Sequence, residues 1–192
     1  MPPMWGIIIF LEEKKMAEMQ YREPIFIGPT KFIFRTNFAG DPAKDKYKST
    51  TRRGNLIIPD EEQALEMADA GYNVKQTRPR EGEEEGFEPT YFVPIIIGYG
   101  HPKKKPKVYL VKEDKRAKFE DPDAEPVYIR TELTEENVGI IDDIYVLEVK
   151  ATLNPRYSVD RDTWTLYVSQ LYVEQDEDND PWADQYNWRD DQ

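Results

Sequence analysis

Cysteine is absent from the chain, and histidine occurs once, at His101. No disulfide, thiolate nucleophile or cysteine-ligated metal is therefore available. The single histidine also excludes zinc sites built from several imidazoles and leaves one residue to serve any serine–histidine pair. It lies in "GYGHPKKKP", a stretch of loop composition and a poor setting for a catalytic base. Long apolar runs are missing too, and nothing approaches the ~20 residues needed to cross a bilayer. The run "MWGIIIFL" at residues 4–11 has no preceding positive charge and no small-residue cleavage site, so it does not fit a secretory signal. It is either a short element docked on the body or a leader ahead of a start at Met16 or Met19.

Positive charge is in short supply: 26 Lys and Arg stand against 38 Asp and Glu, a formal net charge of −12. Such a balance ordinarily argues against a polyanionic partner, but it is unevenly spread. From Glu174 onward eight acidic residues face one base, Arg189, so the tail carries −7 and residues 1–173 only −5. The tail also holds Trp182, Tyr186 and Trp188. Its composition predicts a disordered acidic segment over 174–192 rather than part of a core. A purely solvating tail has no use for large aromatics, which points to a partner.

The remaining apolar residues are gathered into strand-like runs. "IFIGPTKFIFRTNF" (25–38) reads as a strand bent at Gly28-Pro29, with Phe32, Phe34 and Phe38 on one face and Lys31, Ile33 and Arg35 on the other. "GNLIIP", "TYFVPIIIGYG", "KVYLV", "IYVLEVKATL" and "TWTLYVSQLYV" follow as further strands. The fifth places Tyr145, Leu147, Val149, Ala151 and Leu153 on its core face, and the last Trp164, Leu166, Val168 and Tyr172. "NPRYSVDRD" (154–162) reads as a long hairpin loop between these two, and "RPREGEEEGFEP" as a loop or wide turn. One helix is expected near 60–70. Asp60 caps it, Gln63 stands three residues on, Glu61 and Glu62 suit the positive end of the dipole, and Gly71 stops it. Its expected buried stripe is Ala64, Leu65, Ala68 and Tyr72. Many strands, one short helix and no βαβ rhythm predict a mainly β, antiparallel barrel or sandwich.

Three places could carry chemistry. In the first, Lys44, Lys46, Lys48, Arg52 and Arg53 surround Tyr47, while His101, Lys103, Lys104, Lys105 and Lys107 lie between Tyr99 and Tyr109; Arg156, Tyr157 and Arg161 add a third group. Cations interleaved with aromatics suit single-stranded nucleic acid, whose phosphates take point charges and whose splayed bases take flat π-faces. Charged loops are also simply what a solvated surface uses. The second is "DDIYVLEVK", where Asp142 or Asp143 with Glu148 and Lys150 could hold a divalent metal and activate water. On one continuous strand, however, Asp142 and Glu148 stand roughly 20 Å apart at about 3.3 Å per residue. The third is the tail, whose carboxylates and indoles imitate phosphates and bases, so that it could occupy the chain's own basic groove until nucleic acid displaces it. An acidic DNA mimic or adaptor for a host protein is the alternative that the negative total favours; the clustered bases in 44–53 and 101–118 speak against it.

The succession "KFIFRTNFAG" (31–40), "LIIPDEEQALEMADAGYNVKQTRPRE" (56–81), "ENVGIIDD" (136–143) and "LYVSQLYVEQDED" (166–178) resembles the replicative single-stranded DNA-binding proteins of tailed bacteriophages. The likeness runs in order over most of residues 25–178. The long N-terminal extension and the tryptophan-rich end depart from the pattern. The resemblance implies an OB-fold-like barrel at 21–173 with an inserted short helix, an extension at 1–20 and an acidic tail at 174–192. It implies no catalytic residue, metal or cofactor, and a place in the cytoplasm of the host bacterium. The expected role is coating of single strands in replication, recombination and repair. Lys31, Arg35, Lys46, Tyr47, Lys48, Arg52, Arg53, Lys103, Lys104, Lys105 and Tyr109 would line the groove and Arg156 and Tyr157 close it, since the long loops of an OB-fold flank its binding face. In the tail, Asp176, Glu177, Asp178, Asp180, Trp182, Tyr186 and Trp188 would meet a polymerase, helicase or recombinase. A homodimer is a further arrangement open to such a chain.

Overall fold

The computed structural model describes residues 22–178. The extension at 1–20 and the tail residues Asp180, Trp182, Tyr186 and Trp188 lie outside the described residues. Nine strands form one sheet: β1 (Ile25–Thr30), β2 (Phe32–Asn37), β3 (Arg53–Ile57), β4 (Lys75–Gln76), β5 (Tyr91–Ile96), β6 (Lys107–Glu113), β7 (Tyr128–Leu133), β8 (Val146–Ser158) and β9 (Thr163–Gln175). Helix α1 (Glu61–Asp69) follows β3, and a short second helix, α2 (Lys115–Glu120), follows β6. The mainly β prediction with one inserted helix at 60–70 therefore holds. No helix among the described residues is long and apolar enough to cross a membrane.

The sheet is mixed rather than wholly antiparallel. Its main order is β1-β8-β9-β5-β3-β2, and only Lys31 separates β1 from β2, so the two ends of that order are halves of one bent segment. The bend falls at Gly28, where φ is +147° and a Cβ would come within 2.9 Å of the Lys150 Cα; glycine alone tolerates both. One edge of β9 is shared by two strands parallel to it, β5 at Ile95 and Ile96 and then β6 over Lys107 to Val111. Residues from all the long strands meet in one core, with Ile27, Phe38, Leu56, Ile95, Leu110, Leu153, Leu166 and Leu171 inaccessible or nearly so.

Three irregularities redirect side chains: a single extra residue turns everything beyond it to the other face, whereas two extra residues displace only those within the bulge. In β2 two extra residues stand between Ile33 and Asn37, and Phe34 takes a left-handed φ of +63°, so Phe34 is 63% exposed while Phe32 and Phe38 on either side pack edge to face on the core side. In β8, Leu147 falls between the paired residues Val146 and Glu148, which leaves Tyr145 and Leu147 outside while Val149, Ala151 and Leu153 stay in the core. In β9, Ser169 falls between Val168 and Gln170, so the buried series continues as Leu171 and Val173 and Tyr172 turns outward.

Helix α1 starts as expected: Asp60 accepts from the Glu62 N–H at 2.9 Å. Gln63 does not reach back to the cap but donates to the Phe26 carbonyl at 2.9 Å, tying the helix to β1. The buried face is Ala64 and Met67 with Tyr72 just beyond; Leu65 and Ala68, expected to be buried, are exposed. The 154–162 segment is not a loop. Strand β8 runs on to Ser158, paired with β9 down to Thr163, and a tight turn at Val159–Arg161 closes the hairpin. Residues 77–90 form the wide turn between the antiparallel strands β4 and β5.

Candidate nucleic-acid interface

A trough of about 700 Å³ runs over the outward faces of β2, β3, β5 and the start of β9, bounded by the 41–51 loop and the β8–β9 turn. Six cations line it: Arg35 on β2, Lys44 and Lys46 in the loop, Arg53 on β3, Lys75 on β4 and Arg161 in the turn. One carboxylate, Asp45, is among them. Strand alternation aims Arg53 and Asn55 outward, while Gly54 and Leu56 face inward. A Cβ at Gly54 would stand 2.7 Å from the Phe38 ring, so glycine lets that ring close the core directly beneath the trough floor.

Two buried carboxylates fix the basic loop. Asp142 accepts from the Thr36 hydroxyl at 2.7 Å and from the backbone N–H groups of Phe38 at 2.8 Å and Ala39 at 2.9 Å; Lys44 Nζ approaches it to 3.8 Å. Asp45 accepts from the Tyr47 N–H at 2.7 Å and from the Arg53 guanidinium. The Tyr47 N–H, with help from the Ser49 N–H and the Arg53 charge, outweighs burial and lowers the Asp45 pKa below its ordinary value. Asp45 thus holds Arg53 in place and remains an anion at neutral pH.

The expected site residues divide. Arg35, Lys46 and Arg53 meet in the trough. Tyr47 projects from the loop, 78% exposed, with Lys46 Nζ 5.7 Å above its ring. Lys48 and Lys31 are exposed but do not line the trough. Arg52 goes the other way: it pairs with Glu135 at 3.4 Å and lies over Tyr99, whose hydroxyl is pushed up to about 12 by burial. Lys104, Lys105 and Arg156 form a separate pocket of about 260 Å³, in which Arg156 covers the Tyr167 ring at 4.5 Å. Leu166 and Ile96 line the trough, and the neighbouring Tyr167 and Gly98 line this second pocket, so the two adjoin across β5 and β9.

Lys103 lines neither cavity; its N–H donates to His101 Nδ1. Tyr109 is stacked on Tyr172, centroids 5.1 Å apart, and is not turned toward the trough. Tyr157 stands on a strand, its hydroxyl donating to Asp162, a bond that raises the phenol pKa, and its ring lying against Trp164. The first tail residues are placed at the opposite end of β9: Glu177 pairs with Lys112 at 3.5 Å, Asp178 with Lys115 at 2.6 Å, and the Asp176 N–H donates to the Tyr145 carbonyl.

Lys75 and Phe34 escaped the sequence reading. Lys75 is a solitary lysine, and only its pairing with Phe92 across β4 and β5 brings it to the trough. Phe34 meets Phe92 edge-on at 5.3 Å, and Phe92 pairs with Lys75, so an exposed ring stands near the Lys75 strand without itself lining the trough. Trp164 also lines the trough, but Arg22 covers its indole at 4.0 Å, so it forms wall rather than an open face.

The nuclease-like string is not assembled. The Asp142 carboxylate is taken up by β2, and Glu148 pairs with Lys150 at 2.8 Å. Among the described residues no three acidic or histidine side chains gather to hold a metal ion.

No curated protein matches the chain. A protein-family model described as "Putative phage ssDNA-binding domain" matches residues 15–188, nearly the whole length. The chain belongs to this phage single-stranded DNA-binding domain family.

Proposed function

We propose that this protein binds single-stranded DNA along the trough without reading its sequence. The observation that carries the reading is the convergence of six cations on one concave face of a chain whose net charge is −12. Those cations would hold backbone phosphates, which carry no base identity. Phe34 and Tyr47, both largely exposed, would stack bases, each stack worth about 1–3 kcal/mol. Lys104, Lys105 and Arg156 would continue the path past Tyr167. We read the sheet as an OB-type barrel: the bent β1–β2 segment, β3, β5, β9 and β8 give five strands in the order such a barrel needs, with the binding face where these folds present it.

The protein would act on exposed strands in phage replication, recombination and repair, in the cytoplasm of the host, with no catalytic step of its own. The tail, from Asp176 onward, would recruit replication proteins or compete with DNA for the basic face. The test titrates fluorescent oligo-dT and a matching duplex with the full chain and with a chain ending at Asp178. Tighter binding of the single strand, weakened by salt and strengthened by shortening the tail, is the expected result. Equal affinity for single strand and duplex would overturn the single-strand reading, and an unchanged affinity after shortening would overturn the tail's competition.

A further inference from the structure

We propose that the outer edge of β7 pairs with β7 of a second copy of this chain, antiparallel and centred on Thr131. Among the described residues β6 is the sole strand partner of β7, joined to it through six consecutive pairs with no register shift. Five of the six β7 residues are exposed, Tyr128 and Ile129 by about half. Regular, uncovered edges offer a row of free N–H and C=O groups to another chain, and proteins that avoid such pairing blunt them with charged side chains, above all lysine, or with proline, bulges or a covering element; the charges of β7, Arg130 and Glu132, are of opposite sign.

Among the described residues every other long edge carries such a device. The second edge of β1 is tied to α1 through Gln63. At the end of β2, Asp142 takes the Phe38 and Ala39 N–H groups. The part of β8 beyond its pairing with β1, residues 154–158, contains Pro155. Strand β7, "YIRTEL", has no lysine, proline, glycine or bulge.

The occupant follows from charge. Alternation requires residues of like facing to oppose each other, so a symmetric pair centres on a residue. Centred on Thr131, Arg130 of each copy opposes Glu132 of the other, two ion pairs by symmetry, and Ile129 opposes Leu133. Centred on Arg130 or on Glu132, like charges oppose each other, which is unfavourable. The strand is thus self-complementary in one register. Arg130 now lies 5.4 Å over the Tyr172 ring, and pairing would exchange that contact for the carboxylate of the second copy.

The test is light scattering on the full chain over a concentration series, with Arg130→Glu, Glu132→Arg and the double exchange. The expected result is a concentration-dependent rise to the mass of two chains, a dissociation constant raised roughly tenfold in each single variant, and recovery in the double. A single-chain mass at every concentration overturns the proposal. So does a dimer indifferent to Arg130→Glu, or a double variant no better than the singles. Binding of a short oligo-dT, which does not involve β7, reports whether each variant is folded and keeps this outcome separate from the DNA-binding reading.

Discussion

Asp142 Oδ1 lies 2.8 Å from the backbone nitrogen of Phe38, 104 positions earlier in the chain. With the Thr36 and Ala39 contacts, that carboxylate ends β2 and sets the direction in which the basic loop leaves it. Its side chain has no solvent exposure. Removing a buried acceptor strands its donors, so Asp142→Ala should cost about 2–4 kcal/mol. Calorimetry should show melting lowered by roughly 5–10 °C. Asp142→Asn, which keeps one acceptor oxygen, should fall between.

The trough cations should act through phosphates. Among the described residues Arg35, Lys75 and Arg161 have no acidic partner that their removal would strand, unlike Arg53, which holds Asp45. Each changed to Ala should leave melting within about 0.5 kcal/mol of wild type. Each should also flatten the log–log dependence of single-strand affinity on salt by about 0.7. Fluorescence anisotropy over a salt series measures both affinity and slope.

Phe34 separates stacking from folding. Its ring is mostly in water and its backbone is left-handed, a conformation that costs a non-glycine residue roughly 1 kcal/mol. Such an arrangement persists where function uses it. Phe34→Gly should therefore leave stability near wild type or slightly above, while weakening oligo-dT binding by about 1–3 kcal/mol. Paired thermal melts and titrations distinguish this from a structural role, in which stability and binding would fall together.

Asp45 gives the loop a defined response to acid. Its pKa is lowered in the folded protein, first by the Tyr47 N–H. The stability it contributes is present above the ordinary carboxylate value of 3.8 and is lost as pH falls below it through the lowered value. Chemical denaturation from neutral pH down into this window should show a fall that is shallower in Asp45→Asn.

Much of this architecture was legible in the sequence. The strand runs, the Asp60-capped helix and the basic loop ahead of the "GNLIIP" strand all stand where patterning puts them, because each has a local cause. What was hidden depends on pairing. The bulges at Phe34, Leu147 and Ser169 leave no mark in an alternating pattern, yet the first turns Phe34 out of the core and the other two each reverse every side chain beyond them. Arg52 and Arg53 look equivalent in sequence, but Arg52 precedes β3 and pairs with Glu135 while Arg53 opens the strand and lines the trough. Strand β7 shows no apolar alternation because nearly all of it is exposed. The parallel pairings that bring β5 and β6 to one edge of β9 join residues 71 and 63 positions apart, beyond the reach of any local signal.

The central claim, that the trough over β2, β3, β5 and β9 holds the single strand, is tested most directly by fluorescence anisotropy of labelled oligo-dT. The comparison is between wild type and the combined variant Arg35→Glu, Lys46→Glu, Lys75→Glu and Arg161→Glu, at low and moderate salt. The account predicts that wild type binds with a strong salt dependence, that the four reversals abolish binding at both salt levels, and that the variant melts like wild type. Retention of wild-type affinity by the folded variant would contradict it.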